Sequence, residues 1–89
     1  MSNTARASGE LIREVRRILS ALPDGRRATG EWLASKINAD TPLVADVDLV
    51  NAALIYNQGK GLVTYQHNEE MAVDEWSLTE RGRKHEGLA

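Results

Sequence analysis

Residues 46–63 read DVDLVNAALIYNQGKGLV, and the fold turns on how this stretch is parsed. Val47, Val50 and Leu54 recur at i, i+3, i+7 and share one helical face. Asp46 stands where an N-cap belongs, its carboxylate within reach of the first unpaired amides. Asp48 suits the positive end of the helix dipole. Gly59 and Gly61 offer the left-handed backbone on which helices stop. Leu62, Val63, Thr64 and Tyr65 follow as a β-prone run. The stretch therefore predicts a helix near residues 46–58 that halts at glycine and turns directly into a strand.

Downstream, residues 61–68 and 71–78 alternate as two arms of a hairpin, with Asn68, Glu69 and Glu70 at its tip. The alternation breaks at Asp74-Glu75, which predicts a bulge. Thr79 is placed to cap a last short helix through His85 or Glu86, with Gly87 as its stop. Upstream, Ser8 caps a helix whose Leu11, Val15, Ile18, Leu19 and Leu22 fall on one stripe. Pro23-Asp24-Gly25 ends it. Arg26-Arg27-Ala28 forms a link with room for one small strand. Thr29 caps a second helix carrying Leu33 and Ile37, with Trp32 read as a partly exposed core anchor. Asn38 to Ala45 connects it to the third, with Leu43 turned inward. The expected helices are 9–22, 30–38 and 46–58, and the expected hairpin is 61–78. The expected core is Leu11, Val15, Ile18, Leu33, Ile37, Val50, Leu54, Val63 and Trp76.

The segments TGEWLASKI, AALIYNQGKGLV and WSLTERGR resemble the winged helix-turn-helix family, over a span from Ser8 to Gly87. The resemblance implies an α+β winged helix: a three-helix bundle, a C-terminal β-hairpin wing and a short final helix. It implies one domain over residues 8–89 behind a tail of residues 1–7. It makes 46–58 the recognition helix and implies non-catalytic binding, most often of duplex DNA by a transcription regulator. The same fold also serves as a protein-binding module. Asn57 stands where the family commonly has leucine. It is expected to bond the wing or to mark a looser helix end.

Eighty-nine residues make one small domain. The chain has no cysteine, so neither a disulfide framework nor a thiolate metal site is available. No apolar run approaches the ~20 residues of a membrane span. Residues 1–10 lack the apolar stretch of a signal peptide. A soluble, cytoplasmic protein is expected, with no membrane association. His67 and His85 stand alone in their segments, no serine occupies a nucleophile-elbow motif, and Gly59-Lys60-Gly61 reads as a helix stop. Neither an enzyme nor a cofactor site is expected.

Charge is unevenly spread. Residues 1–39 carry seven Arg/Lys against four Asp/Glu. Residues 40–75 carry Lys60 alone against Asp40, Asp46, Asp48, Glu69, Glu70, Asp74 and Glu75. The acidic block coincides with the expected recognition helix and wing. Two readings follow. In the first, an acidic helix and wing dock a basic protein surface, such as that of a nucleic-acid-binding protein, through Asp46, Asp48, Asn51, Ile55, Tyr56, Glu69 and Glu70. A small regulator or inhibitor of the phage anti-CRISPR kind would fit that description. In the second, the chain binds duplex DNA. Its candidate phosphate contacts are Arg13, Arg16, Arg17, Arg26, Arg27 and Lys36, with Asn51 as a reader of adenine. That reading needs docking through the first helix and the Arg26-Arg27 turn, because carboxylates repel phosphates. A homodimer is compatible with either.

Overall fold

The computed structural model describes residues 7–23 and 26–87. Three helices, α1 (Gly9–Ala21), α2 (Gly30–Asp40) and α3 (Val47–Gly59), precede an antiparallel hairpin of β1 (Val63–Asn68) and β2 (Val73–Leu78). A fourth helix, α4 (Glu80–His85), follows the hairpin. The architecture is the expected α+β winged helix. Each helix starts where a short polar side chain takes up an orphan amide. Ser8 accepts from Leu11 N, Thr29 from Trp32 N, Asp46 from Leu49 N and Thr79 from Gly82 N.

The core lies where the three helices meet the root of the hairpin. Leu11, Val15 and Ile18 of α1, Leu33 and Ile37 of α2, and Val50 and Leu54 of α3 are buried with Val63 and Trp76 of the hairpin. All nine residues expected inside are there. Ala28 adds a single bridge to the sheet: its amide donates to Trp76 O at 2.9 Å and its carbonyl accepts from Trp76 N at 2.7 Å. The small strand anticipated in the link is this one residue.

The stop of α3 uses one of its two glycines. Gly61 has φ +74, its amide donates to Gln58 O at 2.9 Å, and Leu62 N donates to Asn57 O at 2.9 Å. This paired closure needs a left-handed residue after the cap. Gly59, expected to share that task, is the last residue of the helix proper. From this turn the chain enters β1, and the return strand leads into Thr79. Thr79 Oγ1 donates to Gly61 O at 2.6 Å and Thr79 N to Leu62 O at 3.0 Å. A Cβ on Gly82 would stand 2.0 Å from Leu62 O, so α4 lies directly on that turn because residue 82 has no side chain.

Several expectations need correction. The hairpin register runs unbroken from Val63↔Leu78 to Asn68↔Val73, with Gln66↔Glu75 and His67↔Asp74 in line, so there is no bulge at Asp74-Glu75. His67 Nδ1 lies 2.8 Å from Asp74 Oδ1, and this cross-strand pair keeps both side chains on one exposed face. Trp32 is 44% exposed, in line with the partial exposure expected of it, but it lies outside the core that it was expected to anchor. Val47 lies at the edge of the apolar face of α3 and is exposed. Helix α2 runs to Asp40, so the link to α3 is shorter than expected. Asn38 braces it, donating to Ala45 O at 2.5 Å and accepting from Ala45 N at 2.8 Å. Ala7 packs partly buried against the core, so the tail expected over 1–7 does not include it. The rest of that tail, and the Asp24-Gly25 turn, lie outside the described residues.

Candidate nucleic-acid interface

Helix α3 has a buried middle and two unlike ends. Val50, Ala53, Leu54 and Asn57 face inward. Asp48, Asn51, Ile55 and Tyr56 are exposed. The period of the helix divides the exposed set between two edges.

Val47, Asn51 and Ile55 lie at i, i+4, i+8 and line a depression of about 300 Å³ shared with Glu31 of α2 and Asp74 of the wing. This is the acidic end. Asp46 and Asp48 flank Val47, and Asp46 also caps the helix by accepting from Leu49 N at 2.8 Å. Glu69 and Glu70 are exposed on the turn that joins the wing strands. Asn51 sits in this depression, its Oδ1 2.5 Å from where a Cβ on Gly30 would stand. The expected adenine reader thus lies among carboxylates.

Tyr56 and Lys60 lie at the other end. Lys60 Nζ stands 5.5 Å from the centre of the Tyr56 ring, a cation–π arrangement. Together with Arg81, Lys84 and His85 of α4 they line an open cleft of about 560 Å³. Lys84 keeps a loose, exposed contact with Glu80 at 3.8 Å. The close seat of α4 on the Gly61 turn is what brings these cations to the end of α3. Sequence reading leaves them out of the candidate set, because residues far apart in the chain meet here only through the turn at Gly61 and Thr79.

The structure disposes of the six expected phosphate contacts unequally. Arg16 points inward: Nε donates to Glu86 Oε2 at 3.2 Å and Nη1 to Asn57 Oδ1 at 2.8 Å, with only 11% of the side chain exposed. Its guanidinium is occupied by internal partners. Arg17 is bound to Glu14, whose hydrogen bonds and charge raise the arginine's pKa. Lys36 pairs with Asp40 at 2.9 Å, one helical turn on. Arg13, Arg26 and Arg27 are exposed. Arg26 and Arg27 share a shallow depression with Arg83, away from α3. The first helix therefore offers little of the cationic surface expected of it.

Asn57 explains much of this. It is fully buried, and its Nδ2 donates to Ala53 O at 3.0 Å and Ile12 O at 3.2 Å. Its partners are α1 and its own helix, so it neither bonds the wing nor loosens the helix end. With Arg16 and Glu86 it joins α1, α3 and the end of α4 in one polar chain.

Among the described residues no group of three or more His, Cys, Asp or Glu converges as a metal site. No helix there is long and apolar enough to cross a membrane. No protein-family model matches the sequence, and no curated protein matches it. A solved structure of a point mutant of Lactococcus lactis ZitR is similar over 97% of this chain and 57% of its own, with a TM-score of 0.61 and 21% identity. This chain thus spans a little over half the length of that protein. At such low identity the likeness concerns the fold, and the chain has the winged-helix fold of ZitR.

Proposed function

We propose that the protein is a non-enzymatic, cytoplasmic winged-helix regulator that binds duplex DNA through the C-terminal half of α3 and helix α4. The observation that carries this reading is the cleft in which Tyr56 and Lys60 meet Arg81 and Lys84. Phosphate neutralisation supplies most non-specific DNA affinity, and this is where cations stand beside an exposed recognition-helix side chain. The winged-helix fold shared with ZitR supports the same reading, because that fold most often serves regulators that bind duplex DNA. Lys60, Arg81 and Lys84 take phosphates, while the crest of Ile55 and Tyr56 approaches the groove edge. The acidic wing stays clear of the duplex. Docking on duplex therefore moves to the last helix from the first helix and the Arg26-Arg27 turn, where the sequence's second reading had it.

The inhibitor reading, with its anti-CRISPR example, draws no support from the structural comparison. Charge on the other end of α3 is what favours a protein partner there.

The test is a titration of labelled random duplex between low and physiological salt. With about three phosphate contacts, log affinity should fall against log salt with a slope of about −3. Absence of binding at low salt overturns the proposal.

A further inference from the structure

The edge of α3 that carries Asn51 enters that reading only at Ile55, yet it borders a formed groove. Its apolar surface comes from Val47 and Ile55 on one side and Val73 on the other, with Trp76 beneath. Ile55 is 61% exposed, so a large aliphatic side chain is left uncovered. Gly30 lines it as well, and its lack of a side chain lets α2 approach Asn51. Its charged lining residues are Glu31 and Asp74, with no Lys or Arg among them. Asp46 and Asp48 flank Val47 in the chain, and Glu69 and Glu70 follow the wing strand.

An apolar centre with an anionic rim selects its occupant by two criteria. Phosphates are repelled, which removes a nucleic-acid backbone. An aliphatic anchor covers Ile55 and Val47, and flanking cations meet the rim. We infer that the groove between α3 and the wing docks a protein segment that presents an aliphatic anchor flanked by Lys or Arg. This inference goes beyond the DNA reading and stands without it. Where both hold, the two ligands share only the crest at Ile55.

The test uses the full chain and two synthetic peptides of equal positive charge. One carries a central leucine between Lys and Arg, and the other carries serine in its place. Amide shift mapping reports where each binds. The leucine peptide should bind roughly tenfold tighter, the size of effect a buried anchor provides. Its largest shifts should fall at Val47, Asn51, Ile55, Val73 and Asp74. E31Q combined with D74N should weaken it several-fold, and I55A should erase the preference for leucine. Thermal melts of the variants confirm that they fold, and the wild-type shift map stands whether or not they do. Equal affinity for the two peptides, or shifts centred on α4, overturns the inference. So does a duplex that shifts the groove residues more strongly than the leucine peptide. Failure of the duplex titration at the cationic cleft leaves this result unaffected, so the two proposals fail separately.

Discussion

The two ends of α3 belong to one helix and share one core, yet their surroundings have opposite charge. At the N-terminal end, Glu31 and Asp74 share a depression with Val47, which Asp46 and Asp48 flank in the chain. At the C-terminal end, Lys60 meets Arg81 and Lys84. At the first end Asp46 and Asp48 are local to the helix start, where the dipole favours acid, while Glu31 and Asp74 arrive from α2 and β2. The second arrangement arises from a tertiary contact, the seating of α4 on the Gly61 turn. One helix thus presents two ends whose surroundings differ in sign.

The largest effect is expected from removing what both ends share. Leu54 is fully buried at the middle of α3. L54A should cost about 2–5 kcal/mol, read by chemical denaturation, and should impair both ends together. A midpoint equal to wild type would show that the helix is not held at this point.

A more selective break acts on the cationic end. G82A would force a Cβ onto Leu62 O, a backbone atom that cannot yield cheaply. The expected loss is about 3 kcal/mol, or undocking of α4 with the rest folded. In the second case duplex binding should be lost while peptide binding in the acidic groove persists. Unchanged stability and unchanged duplex binding would refute the seating of α4.

Asn57 tests the polar chain beneath the same end. N57A leaves Arg16 and Ile12 O each short of a partner, and should cost about 1–3 kcal/mol by denaturation. A neutral result would mean that water replaces the amide fully.

The smallest effect sharpens the acidic end. E69K with E70K should change stability by less than about 0.5 kcal/mol, because exposed charges contribute little to folding. A large loss on melting would show that the tip glutamates have structural partners.

What can be read in advance follows from this division. Caps, apolar stripes and the glycine stop are local, and Ser8, Thr29, Asp46 and Thr79 all act as their types suggest. The acidic block is visible because its residues are neighbours in sequence. The cationic cleft is not, since Lys60 meets α4 only through the hairpin between them. Arg16 misleads for a related reason. Its place opposite the apolar stripe suggests solvent, but Asn57 and Glu86 arrive from 41 and 70 residues away to bind it. Asn57 itself is a polar residue at a buried position, which periodicity alone cannot distinguish from a frayed helix end. The expected bulge is absent because the hairpin keeps register through paired polar residues, His67 and Asp74 among them.

The proposed mode of binding has duplex DNA meet the C-terminal end of α3 and α4 while the acidic end stays clear. Its most direct measurement is duplex affinity at one low salt concentration for wild type, for K60E with R81E, and for E69K with E70K. The first pair of reversals should abolish binding, and the second should alter it modestly, toward tighter binding through added long-range attraction. Binding that survives K60E with R81E, or collapses when the tip glutamates become lysine, would contradict it.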